Sequence, residues 1–171
     1  MWSGLSSYHY CVCAGLGIGF FARSAMRTHQ QKDTHVADSA AIETLHQEDI
    51  EATLSQDPKG LIYIWTEDAV RFNQAGSPAV GRQAIQAENK KIHTQYPGFK
   101  VLSYVPKCKN IQIEDGFGDS GPCLACEWFE RQGEYRLSSE SPLANWHAKG
   151  LQALKRQSDG SWKFALIIGN E

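Results

Sequence analysis

His147 lies in "NWHAKG" beside Trp146, and Glu127 lies in "CEWFE". An imidazole in a pocket serves as a general base when a partner fixes its tautomer, so His147 and Glu127 on neighbouring strands form a candidate catalytic pair. Glu127 and Glu130 are three residues apart and should fall on opposite faces of a strand. Whichever faces a pocket would be pushed up in pKa by desolvation, as a proton-shuttling acid requires. The plainer reading of His147 is a strand histidine that is partly exposed or sits at a subunit contact. His46 and His93 lie among polar residues of helical stretches and read as solvated. Tyr63, Trp65, Phe72, Trp128 and Trp146 are the candidate lining for an apolar ligand, although aromatics also serve simply as core.

Cysteine offers less. Cys123 and Cys126 in "CLAC" have the spacing of a redox pair or half a zinc site, yet in a strand their sulfurs diverge. They read as two small buried residues; in an exported chain Cys108 could pair with one of them across neighbouring strands. No HExxH or other metal-ligand spacing occurs, so no metal is expected. "GLGIG" near the N-terminus lacks the following helix and acidic residue of a dinucleotide site, so no nucleotide cofactor is expected either. Seventeen Lys and Arg against nineteen Asp and Glu give a net charge of −2. That leaves no basic surplus for a nucleic-acid partner.

The 171 residues suit one domain preceded by a leader. Residues 1–26 carry no acid and include the apolar run "CVCAGLGIGFFA", too short to span a membrane. Its length suits an imperfect export signal, which would make the protein periplasmic or secreted; a disordered leader on a cytoplasmic protein is the alternative. Residues 27–37 read as a linker, and the organised domain as 38–171.

Within that domain, "DSAAIETLHQEDIEATLSQDPKG" has helical spacing through Ala41/Ile42, Leu45, Ile50 and Thr53/Leu54, with Asp38 or Ser39 as cap. "KGLIYIWTED" predicts a second short helix and "AVRFN" a strand. "VGRQAIQAENKKIHTQYPG" predicts a third helix, stopped by Pro97-Gly98. The rest is strand-like: "FKVLSYVP", "CKNIQIED", a strand starting at Cys123, then "LANWHAKGLQALKRQ" and "SWKFALIIG" joined by Asp159-Gly160. Helices first and strands afterwards predict an α+β arrangement.

"YIWTEDAVRFNQAGSPAVGRQAIQA" and "AKGLQALKRQSDGSWKFALIIGN" resemble SnoaL-like proteins of the nuclear transport factor two-like superfamily. The resemblance implies a cone: three N-terminal helices packed in a strongly bent antiparallel sheet, with an internal pocket between them and often a homodimer through the outer face. Two-sided burial would explain the greasy last strand, with Trp162, Phe164, Leu166 and Ile168 facing one way and Ala165 and Ile167 the other. Similar hairpins often carry an Asp where this chain has Ile167, so an acid those proteins could use is missing. The implied function is binding of a small apolar molecule, with or without metal-free isomerase, lyase or hydrolase chemistry. A non-catalytic homodimerisation or protein-interaction module is the alternative.

Overall fold

The computed structural model describes residues 35–72, 77–115 and 122–170. The leader at 1–26 and most of the 27–37 linker lie outside these residues, but 35–37 are already helical. Helix α1 covers 35–55 and buries a stripe at Asp38, Ile42, Leu45, His46, Asp49 and Ala52. These positions recur every three or four residues, as one face of a helix must. The phase differs from the expected one in the second half, where Leu54 is exposed and Ile50 only half buried. Three of the six inward residues are polar, so following apolar residues alone misses the face.

Asp57 stops α1 and starts α2, Gly60–Tyr63, its two carboxylate oxygens accepting from the backbone N–H groups of Lys59 and Gly60 at 3.0 Å each. The expected helix through Asp68 is corrected here: strand β1 is Trp65–Phe72. A free edge of the last strand overrides the local helical pattern, beginning with the Phe164 N–H donating to the Ile64 carbonyl at 2.9 Å. After the short β2 (Ala79–Val80), α3 spans Arg82–Gln95 and buries Ile85.

Strands β3 (Lys100–Asp115), β4 (Pro122–Arg136), β5 (Ala144–Arg156) and β6 (Trp162–Asn170) complete one six-stranded sheet ordered β2-β1-β6-β5-β4-β3. Every neighbouring pair is antiparallel except β1 with β6, which is parallel, so the sheet is mixed. The two strands expected on either side of Pro106 are one continuous strand. β3 lies at the sheet edge, where a residue lacking an N–H is tolerated.

Helix α1 lies across the inner sheet face, and its buried residues Ile42 and Leu45 share one core with Phe129, Leu154, Trp162 and Phe164. Fully burying side chains of this size contributes roughly 1.5–3 kcal/mol each. The helix is also pinned by Asp38, whose Oδ1 accepts from Trp162 Nε1 at 3.0 Å and faces Arg156 Nε at 2.9 Å. The facing of β6 departs from simple alternation. Leu154 pairs with Phe164 but Ala153 pairs with Leu166, so Ala165 is an extra residue, a bulge. Past it the faces exchange: Ile167 joins Trp162 and Phe164 in the interior, while Ile168 is exposed. No helix among the described residues is long and apolar enough to cross a membrane.

Candidate functional site

Alternation along β4 sends Glu127, Phe129 and Arg131 inward and Trp128 and Glu130 outward. Opposite them, β5 presents Gln152 and Ala148 inward, and β3 presents Tyr104 and Cys108. The inward polar residues of α1, His46 and Asp49, meet these strands. The result is a buried network. His46 Nε2 lies 2.7 Å from Glu127 Oε1, and Gln152 Nε2 donates to the same oxygen at 2.5 Å. Gln152 Oε1 accepts from Arg131 Nη2 at 2.7 Å, and Arg131 Nη2 stands 3.8 Å from Asp49 Oδ2. The Tyr104 hydroxyl donates to Asp49 Oδ2 at 2.5 Å. The guanidinium of Arg131 also lies over two rings, 4.6 Å from the centre of Phe129 and 5.6 Å from that of Phe164. Cation–π contact of this kind strengthens when water is excluded.

Burial disfavours the charge of Arg131, but Tyr104, Asp49, Cys108 and Glu127 more than offset it and hold the guanidinium protonated. Burial likewise disfavours the His46 imidazolium. Hydrogen bonding to Cys108 and Glu127, with their charge, reverses that and raises His46 from 6.5 to about 10. Desolvation pushes the Tyr104 phenol well above 10.0, with the charge of Asp49 adding to it, so it stays a donor.

Part of this network faces open space. A cavity of about 620 Å³ is lined by Asp49, Tyr104 and Arg131 together with Ile64, Trp65, Phe129, Trp146, Ile167 and others. Trp146 stacks on Tyr104 with ring centres 5.8 Å apart. The exposed lining residues Phe72, Lys91 and His93 mark its rim, where Arg71 is bound by Glu88 at 2.7 Å and Asn89 at 2.9 Å. His46, Glu127, Cys108 and Gln152 do not line the cavity; they stand behind its polar wall.

The residues expected from sequence are divided by this arrangement. Trp65, Trp146 and Phe72 line the cavity. Trp128 is 59% exposed on the outer sheet face, and Tyr63 is 64% exposed beside Lys163, 5.9 Å from its ring centre. His147 and Glu127 are not brought together. His147 is an outward residue bonded to the exposed Glu130 at 2.9 Å, whereas Glu127 is buried against His46. His46 is itself a correction, being 7% exposed rather than solvated. Cys108 and Cys126 are free thiols on opposite faces of the sheet, so they are not a bridging pair. Asp49, Arg131 and Tyr104 are the members sequence reasoning missed or left unplaced. The signal that could have found Asp49 and His46 is their phase with Ile42 and Leu45 on α1.

Solved structures of the same shape decide the fold. A ketosteroid isomerase-like protein from Erwinia carotovora atroseptica superposes with a TM-score of 0.59 at 16% identity, over 76% of this chain and 92% of that one. The chain has the nuclear transport factor two-like cone fold. A hexachlorocyclohexane dehydrochlorinase from Novosphingobium barchaimii matches this cone with a TM-score of 0.60 at 16% identity, covering 81% of this chain and 89% of the other. A protein from Catenulispora acidiphila, solved in complex with S-DNPA, matches at 0.59 and 17% identity, over 77% of this chain and 90% of its own. No family model and no curated protein matches the sequence.

Proposed function

We propose that the cone binds a small, largely apolar molecule carrying a carbonyl or carboxylate group and moves a proton on it without a metal ion taking part in the chemistry. The observation that carries this reading is the convergence of Asp49, Tyr104 and Arg131 on a cavity that Trp65, Phe129, Trp146 and Ile167 also line, with Arg71, Glu88, Asn89, Lys91 and His93 as further polar lining. Asp49 is the acceptor placed to take a proton from a carbon beside the carbonyl. Tyr104, kept neutral, and Arg131, kept charged, are donors for the oxyanion that then develops. Isomerases and lyases share this half-reaction, and which of them applies depends on where the proton or leaving group goes next. The same-fold protein solved with S-DNPA bound supports small-molecule binding as the class.

The experiment is binding followed by exchange. Thermal-shift and tryptophan-fluorescence screening against aromatic and steroid-like ketones and acids is expected to give saturable ligands. For those, NMR in deuterium oxide is expected to show exchange of the proton beside the carbonyl. Asp49→Asn should slow that exchange by about 10²–10⁴-fold while binding persists. A panel without a single saturable ligand would sink the proposal.

A second reading concerns assembly. On the outer face Trp128, Leu151 and Ile168 stand opposite one another on three adjacent strands, and Cys126, Ala153 and Leu166 form the next row. Trp128 and Ile168 are 59% and 44% exposed. An apolar band of this extent favours pairing with a second copy of the chain.

A further inference from the structure

We infer that His46, Cys108 and Glu127 form a binding site for a zinc-class divalent cation, behind the polar wall of the cavity. The imidazole comes from α1, the thiol from β3 and the carboxylate from β4, and one donor atom of each lies within 4.8 Å of the other two. A tetrahedral zinc ion holds nitrogen, oxygen and sulfur donors about 3.5 Å apart, so admitting it needs about an ångström of side-chain movement, with the 2.7 Å contact of His46 Nε2 and Glu127 Oε1 opening to let the ion in. The three residues are far apart in sequence, which is why no ligand spacing announces them.

A second observation points the same way. Glu127 Oε1 is occupied by His46 and Gln152, but Glu127 Oε2 is buried without a hydrogen-bond partner. A cation there would supply the missing partner. The surroundings also resemble the outer sphere of a metal centre. Gln152 Nε2 donates to Glu127 and lies 3.7 Å from Cys108 Sγ, and Glu43 Oε2 stands 3.9 Å from Nδ1, the other ring nitrogen of His46. A carboxylate behind a ligating histidine and an amide on the ligating oxygen are what fix ligand orientation.

The donor set selects the ion. Magnesium and calcium take oxygen ligands, whereas thiolate with imidazole and one carboxylate suits zinc. The thiolate and carboxylate would neutralise its charge, and the nearby positive charge of Arg131 is offset by Asp49. Because none of the three ligands lines the cavity, the ion would clip α1 to the sheet and, through Gln152, steady Arg131. It would not touch a ligand in the cavity.

The test uses the full chain with Cys11→Ser and Cys13→Ser, so that leader thiols cannot contribute, stripped with chelator and titrated with cobalt(II) and then zinc(II). The expected result is a thiolate-to-cobalt charge-transfer band that saturates at one ion per chain, is displaced by zinc and accompanies a rise in melting temperature. Cys108→Ser should abolish the band, Glu127→Gln should weaken zinc binding roughly tenfold or more, and Cys126→Ser should leave both intact. No saturable band in the parent chain overturns the inference without recourse to any variant. So does a band that survives Cys108→Ser. Ligand screening in chelator reads the cavity separately, so failure of this site and failure of the proposed function are distinguishable.

Discussion

Truncating Arg131 would leave Asp49 and Glu127 as buried acids with one cation fewer between them, and would empty the space between the Phe129 and Phe164 rings. Breaking a buried ion pair from one side costs about 3–5 kcal/mol. Arg131→Ala is therefore expected to lower unfolding free energy by about that much in urea titrations. Arg131→Lys should fall between the two, because it keeps the charge but loses the fork that reaches Gln152. A loss near zero for the alanine variant would show that the network is not held together by this residue. Tyr104 gives a pH prediction with a definite sign. Its folded pKa lies above the ordinary 10.0, so the folded state holds the phenolic proton more tightly than the unfolded chain does. The stability this contributes is complete below about pH 10 and is lost as pH rises through the folded value. In an ultraviolet titration a tyrosine step should appear well above pH 10, and Tyr104→Phe should remove that step.

Glycine marks where the sheet elements leave no room. A Cβ on Gly150 would meet the backbone carbonyl of Ile168 and the Cα of Gly169 on the adjacent strand, neither of which can swing aside. Gly150→Ala is expected to destabilise by about 1–3 kcal/mol as overpacking. Gly160→Ala, in the β5–β6 hairpin with φ of +86°, should cost about 1 kcal/mol for conformation alone. Differential scanning calorimetry reads both losses. The closing hairpin, α3 and the strands of the C-terminal half were legible because Asp-Gly turns, helical spacing and alternation are local signals. The site was less so. On α1 the face toward the sheet carries Asp38, His46 and Asp49, and a rule that follows apolar residues rotates the helix away from them. In β1, the start of the strand is set at Trp65 by pairing with Phe164 of β6, and that partner lies almost a hundred residues away. His147 was assigned to the wrong neighbour for the same reason: register with Gln132, not Glu127, is set by the whole β4–β5 ladder.

At the scale of the whole molecule, the outer apolar band and the inner polar network place opposite demands on one sheet. If the band is where two copies meet, Trp128→Glu puts a charge on its most exposed side chain, and light scattering should shift from a dimer mass to a monomer mass. His147→Ala, at the periphery, should leave the mass unchanged. A wild-type chain that scatters as a monomer at high concentration would remove the assembly reading and leave the cavity reading intact. The parallel β1–β6 pair carries a consequence for biosynthesis. Of the described strands β6 is made last, yet it sits between β1 and β5 near the middle of the sheet. Until the ribosome has delivered residues 162–170, the segment β1–β2–α3 has no sheet to join, and the β5 edge stands open. Contacts this remote in sequence form slowly and leave strand edges exposed meanwhile. The nascent chain should therefore occupy holdase chaperones up to the moment β6 emerges, and then release from them in a single step.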